Sequence, residues 1–259
     1  YPHYLLKNQD GYALADTNGK FLLPGSFTKV QYSKFASWLA AYTEKEVFLY
    51  NLDSLTLFPE SFQEVDLSGH NPLVQDAAGD WTAITAQFEK LRIGKADSVS
   101  VVSNTVARTF EHGIEFFMFL NNGQPLKIKG TQYKTLGEIM GIWDEGEWNV
   151  YNKKGETVAG PFSSIVPTGE KYWKVTQNEF LGILDSTGKL LLPCIYQSIT
   201  PYDGYFAVKL NNKTGVIKEN LTVFIPLEYS QVKPIFPDLW LASSENTSPF
   251  FSIVAGKLE

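Results

Sequence analysis

The sequence predicts an all-β protein made of tandem antiparallel β-meander repeats of about 33–35 residues. The repeats stack in an open or curved array, with a closed β-propeller-like ring as the alternative. Three observations carry this prediction. First, landmarks recur at one period: Trp173-Lys174-Val175, Gly182-Ile183, Pro193, Tyr196 and Ile199 return 33 residues later as Phe206-Ala207-Val208, Gly215-Val216, Pro226, Tyr229 and Val232. Second, Asp16 to Pro24 matches Asp185 to Pro193 without a gap, followed by Phe27-x-x-Val30 where Tyr196-x-x-Ile199 stands; Pro59, Phe62 and Val65 repeat the same landmarks. Third, short apolar runs alternate with polar turns, and a chain of 259 residues with 20 Gly, 13 Pro and 44% hydrophobic residues suits a turn-rich globular protein.

Each unit has a readable order. An aromatic followed by apolar residues, as in Tyr205-Phe206-Ala207-Val208, is the first strand. An Asn-rich reversal leads to a second, Gly215-Val216-Ile217. Asp185-Ser186-Thr187-Gly188 is a turn in which the Asp side chain can bond the backbone ahead of it. The third strand, Leu190-Leu191-Leu192, is expected to stop at Pro193, which has no N–H for a ladder. Tyr196-x-x-Ile199 is a short fourth extended piece, and Pro201-Tyr202-Asp203-Gly204 turns the chain onward.

Weaker copies lie at Asn152 to Gly155 with Phe162-x-x-Ile165, and at Asn121-Asn122-Gly123. Between them, Asp80 to Gly94 has two readings. Ile84, Phe88 and Leu91 fall at helical spacing, with Asp80 as N-cap. Alternatively Trp81 to Ile84 is a first strand and Ser98 to Val102 the third strand of a diverged repeat, which the flanking periodicity favours. The count reaches roughly seven units and a partial eighth from Leu239. A C-terminus ending after two strands, beside a nearly whole first unit, favours the open or curved stack. No linker divides the chain, so one domain is expected over 1–255, diverged at about 70–135, with 256–259 a linker or vector-derived tail. A start at Tyr1 without Met leads us to expect removal of an upstream segment, and an extracytoplasmic protein that is secreted, periplasmic or surface-anchored.

These landmarks resemble the WG-repeat family of bacterial proteins, whose units read roughly W-G-x-I-D, then x-x-G-x-x-x-x-P, then x-x-Y-D-x-I. The matching residues here are Phe180 to Asp185, Gly188, Pro193, Tyr196 and Ile199. The resemblance covers about residues 4–69 and 141–254, with Leu181 at the naming Trp and Gln197 and Ser230 at the Asp after Tyr. It implies an all-β, envelope-associated repeat array that serves as a binding surface, and it supplies no catalytic residues.

Chemistry is sparse. A net charge of −6 and no Lys/Arg cluster argue against nucleic acid, and no apolar run reaches the ~18 residues that span a bilayer. His3, His70 and His112 lack metal-ligand spacing, and Cys194 stands alone and reads as a small hydrophobe. Asp16-Thr17-Asn18-Gly19 opens like a calcium loop but lacks the later acidic ligands. No catalytic residue, cofactor or metal ion is expected. Trp38, Trp81, Trp173 and Trp240 occupy or approximate the once-per-unit aromatic position and read as core. Asn212, Asn220 and Asn246 begin formal glycosylation sequons that read as polar turns.

One candidate site remains: Trp143, Asp144, Glu145, Glu147 and Trp148, where carboxylates interleave with aromatics as in sugar sites. The same segment reads as a solvated hairpin turn. The expected function is a non-enzymatic binding or scaffold protein presenting a repeat-built surface to a protein or polysaccharide partner. The alternatives are a carbohydrate-binding or glycan-active protein using the Trp143–Trp148 turn, and a structural spacer.

Overall fold

The computed structural model describes residues 3–9, 11–120, 125–236, 239–244, 253–254 and 257–258. It is all-β, and its strands pair antiparallel in chain order. Strands β1 (His3–Asn8), β2 (Gly11–Asp16) and β3 (Phe21–Phe27) form a three-stranded sheet. Six four-stranded sheets follow. The first is β4 (Lys29–Tyr32), β5 (Trp38–Tyr42), β6 (Val47–Asn51) and β7 (Thr56–Phe62). The second is β8 (Glu64–Asp66), β9 (Leu73–Gln75), β10 (Asp80–Ile84) and β11 (Lys90–Lys95). Next come β12 (Ser98–Ser103), β13 (Val106–Glu111), β14 (Ile114–Phe119) and β15 (Leu126–Lys129). The fourth is β16 (Gln132–Leu136), β17 (Ile139–Asp144), β18 (Glu147–Asn152) and β19 (Thr157–Phe162). The fifth is β20 (Ser164–Thr168), β21 (Tyr172–Gln177), β22 (Phe180–Asp185) and β23 (Leu190–Tyr196). The sixth is β24 (Ser198–Tyr202), β25 (Tyr205–Leu210), β26 (Lys213–Lys218) and β27 (Val223–Tyr229). Two pairs close the series: β28 (Gln231–Phe236) with β29 (Leu239–Ser243), and β30 (Ile253–Val254) with β31 (Lys257–Leu258).

The strands fall into two compact units, Tyr1–Thr131 with Lys153–Gly155, and Gln132–Asn152 with Glu156–Glu259. Within each, the core lies between consecutive sheets. In the first unit, one apolar cluster joins Leu14 and Phe27 to Leu39, Ala41 and Tyr50 of the next sheet. A second joins Trp38, Ala40 and Leu49 to Val65, Leu67 and Ile84, and a third joins Trp81 and Ala83 to Ala107 and Met118. In the second unit, Trp148, Val150 and Phe162 pack on Ile165, Trp173 and Val175. Ile183 and Tyr196 pack on Ile199, Phe206 and Val208; Ala207 and Val216 pack on Val232 and Trp240. Side chains alternate across a strand, so Phe206 and Val208 enter one layer and Ala207 the next. That is why inner strands read as unbroken apolar runs: both faces are buried.

The architecture is the predicted one, with corrections inside the repeat. Tyr196-x-x-Ile199 is not the fourth strand of one sheet. Tyr196 ends β23, and Ile199 enters β24 of the next sheet. The pairs Phe27/Val30, Phe62/Val65, Phe162/Ile165 and Tyr229/Val232 straddle boundaries in the same way. Pro193 does not stop its strand either. β23 runs through it, as β7 and β27 run through Pro59 and Pro226, because each is the last strand of its sheet and its ladder slips register there. The segment 80–95 is two strands, with Phe88 at φ 63° in the turn between them, so the helical reading does not hold. Ser98 to Val102 opens a new sheet instead of filling the third place, and Trp81 sits on the third strand, not the aromatic second. Sheets β8–β11 and β12–β15 are regular although their sequence matches poorly. Asn121-Asn122-Gly123 lies outside the described residues.

Candidate functional site

An antiparallel meander puts its loops at two ends. The β17–β18 type of hairpin and the crossovers between sheets share one end, and the loops before the second and after the third strand share the other. At the hairpin end, His112-Gly113, Glu145-Gly146, Asn178-Glu179 and Asn211-Asn212 all have positive φ at both central residues. Such turns match the right-handed twist of the flanking strands, and they recur every 33 residues. Crossover residues fasten to these hairpins. Thr28, Ser163 and Ser230 donate both N–H and hydroxyl to the carbonyls of Tyr42, Thr176 and Ser243. Gln197 donates its N–H to Lys209 and accepts from Asn212 N at 2.9 Å, while Asp97 accepts from His112 N at 2.7 Å. The position that reads Asp in the family pattern is therefore a clip for the next hairpin.

The five candidate residues share the β17–β18 hairpin, with Trp143 opposite Trp148 and Asp144 opposite Glu147. The two indoles lie 5.5 Å apart and tilted by 53°. They are not equivalent. Trp148 is only 6% exposed and belongs to the core between β16–β19 and β20–β23, with Lys134 Nζ 4.7 Å above its ring. Trp143 is half-buried at the margin of that core. The solvated-turn reading of the segment therefore does not extend to Trp148. Its equivalents 33 and 66 residues later are Leu181 and Thr214, and all three pair with a strand-ending aromatic: Phe162, Tyr196 and Tyr229. Trp148 occupies the very position that names the family pattern. Glu145 and Glu147 are exposed, and Asp144 is half-buried. Burial raises the Tyr151 phenol above its usual value, and the Asp144 charge raises it further.

The remaining candidates resolve into structure. Asp16 Oδ1 accepts from Asn18 N and Lys20 N, both at 2.9 Å, as Asp185 Oδ1 accepts from Thr187 N and Lys189 N and Asp76 Oδ1 from Ala78 N and Asp80 N. The carboxylate of the calcium-like opening is occupied by its own turn. Among the described residues no group of three or more His, Cys, Asp and Glu is placed to hold a metal ion. His70 lies beside Phe35 with ring centres 6.1 Å apart, and His112 sits in a hairpin turn. Cys194 packs against the Trp148–Trp173 core, and burial pushes its thiol up, away from the nucleophilic thiolate. Trp38, Trp173 and Trp240 are core residues of second strands, and Trp81 is core from a third strand. No described helix is long and apolar enough to cross a membrane.

A groove that no sequence motif marks lies at the other end of the strands, between the β20–β23 and β24–β27 sheets. It encloses about 540 Å³ and is lined by Thr168 to Tyr172, Pro201 to Asp203, and Glu219. Tyr172 meets Phe206 edge-on at 5.4 Å, and Tyr202 meets Trp240 at 5.1 Å, so both phenols are held from behind by core aromatics. Burial, then the facing Glu219 carboxylate, push the Tyr172 hydroxyl up to about 12. The signal that could have found the groove is a loop length: Gly169-Glu170-Lys171 holds one residue more than the equivalent Gly137-Glu138.

A model of the WG containing repeat matches residues 182–213, which run from the Gly of β22 to the first residue of β26. No curated protein matches the chain. Among solved structures, Kluyveromyces lactis Hsv2 is 13% identical, with 73% of each chain covered and a TM-score of 0.29. The N-terminal domain of Nup159 is 10% identical over 97% of this chain and 78% of that one, with a TM-score of 0.31. The computationally designed Ika8 protein is 10% identical over 95% and 91%, with a TM-score of 0.29.

Proposed function

With residues 182–213 a WG containing repeat inside a stack of like sheets, we propose that this is a non-enzymatic binding or scaffold protein. Its repeat-built surface is offered to a protein or polysaccharide partner. The observation that carries the reading is a division of labour within each repeat. Apolar residues that recur at the period fill the layers between sheets, so difference from one repeat to the next is left to the loops at the two strand ends. A set of differing loops on one regular scaffold is how repeat proteins acquire specificity.

A second reading places a carbohydrate site on Trp143, Asp144, Glu145 and Glu147, with Trp148 as the buried support of Trp143. A glycan array and a pull-down with the purified chain, each repeated with Trp143→Ala, separate the two. Glycan binding lost in the variant supports the carbohydrate reading. A protein partner retained by the variant supports the scaffold reading. Turnover of a substrate, abolished by changing one carboxylate, would overturn the non-enzymatic reading.

A further inference from the structure

The two junctions between four-stranded sheets in the second unit can be compared position by position. At the first, Glu138 N donates to the Ser186 carbonyl at 3.2 Å, and Gly137 lies so close that a Cβ there would meet Ser186 at 2.9 Å. That junction is shut by backbone. At the second, the residue 33 positions after Ser186 is Glu219, and the loop facing it is the longer Gly169-Glu170-Lys171. The approach is now between side chains, Lys171 Nζ to Glu219 Oε1 at 4.0 Å, and the groove occupies the opened space. Departure from the repeat, not the repeat itself, makes this cavity.

Its chemistry is one-sided. Glu170, Asp203 and Glu219 face a single cation, Lys171. Among the described residues, neither Glu170 nor Asp203 has a hydrogen-bond or ion-pair partner, and both are exposed. The walls are Tyr172, Pro201 and Tyr202, the last 37% exposed. Carboxylates at the rim and tyrosine rings in the wall together suit a planar cation, which can stack on a ring while its N–H groups reach a carboxylate. A volume near 540 Å³ is within the range of small-ligand pockets and ample for one such side chain with its flanking backbone. A neutral sugar could draw hydroxyl hydrogen bonds but no charge attraction from these carboxylates, and an acidic ligand would be repelled by them.

We propose that this groove docks an arginine-bearing basic segment of a partner protein. The proposal rests on the binding-protein reading above and selects protein over polysaccharide. The test is fluorescence anisotropy of a labelled tetra-arginine peptide with the whole chain, using unlabelled tetraglutamine and cellotetraose as competitors. Asp203→Asn combined with Glu170→Gln is expected to weaken tetra-arginine binding at least tenfold. Glu179→Gln combined with Glu228→Gln removes the same charge from exposed positions at the opposite strand end and is expected to leave binding within twofold. Absence of binding by the folded chain, equal loss in both double variants, or displacement by cellotetraose would each overturn the proposal. The glycan array and pull-down test the broader reading separately, so a partner found there without tetra-arginine binding removes the groove and leaves the binding protein.

Discussion

Gly182 and Gly215 show how one position can be set by its partner strand. An added Cβ would lie 2.7 Å from the Leu192 carbonyl at Gly182 and 2.7 Å from the Ile225 carbonyl at Gly215. The register slip beside Pro193 and Pro226 presses backbone onto these two sites. Gly182→Ala should destabilise by about 1–3 kcal/mol, the usual cost of overpacking, read from urea unfolding. Asp185 is the complementary polar case. Partial burial raises its pKa, but the Thr187 hydroxyl, the Lys189 and Thr187 N–H groups and the Lys189 charge outweigh burial and hold the carboxyl below the usual aspartate range. A carboxyl lowered on folding adds stability at pH values above its unfolded value, and that stability is lost as pH falls through the folded value. Asp185→Ala should therefore cost about 1.5–3 kcal/mol near neutrality, with the gap to the parent closing below about pH 4. Both residues were legible in the sequence as repeat landmarks. The reason for Asp185 was legible too, since its bonds run to the backbone of its own turn. That for Gly182 was not, because the carbonyl that excludes a Cβ lies on the fourth strand of the sheet and meets it only when that strand pairs.

The hairpin β17–β18 separates two tryptophans that composition cannot tell apart. Trp148→Ala should cost about 3–5 kcal/mol, because it empties a site inside the Trp173–Val175 core. Trp143→Ala should cost clearly less, since that residue is only partly buried at the margin of the core. Comparing the two midpoints of thermal unfolding checks the order, and equal losses would contradict it. A shift of 33 from Trp148 to Leu181 places it in the repeat register, so the register was readable from the sequence, but its burial was not, since Leu181 and Thr214 at that register are only half-buried. The groove was less so. It depends on one added loop residue at Gly169–Lys171 and on which loop faces Glu219, and spacing alone does not say that residues 171 and 219 are neighbours across a sheet junction.

Across the molecule, each core layer belongs to two sheets, so stability should be shared between neighbours and fall off beyond them. Trp173→Ala is expected to lower amide protection most in β16–β19 and β20–β23, which meet at that side chain, and less in β28 and β29 of the same unit. Hydrogen exchange resolved by segment reads this directly. Uniform loss over the whole chain would show instead a single cooperative block.

The sequence by itself determined the all-β class, the period, the turns and the inner apolar faces, because these follow from alternation and local turn chemistry repeated many times. It did not determine where one sheet ends and the next begins. Tyr196 and Ile199 are three residues apart and look like one strand, yet they serve different sheets, since the crossover residue bonds forward to the next hairpin. The regular β12–β15 sheet was hidden for a related reason: apolar residues of differing size can fill a layer between sheets, so the packing persists where the letters do not. Only the tertiary structure decided that Trp148 is core and that the junction facing Glu219 is open, because both depend on which residues meet across a layer, a distance that no local pattern encodes.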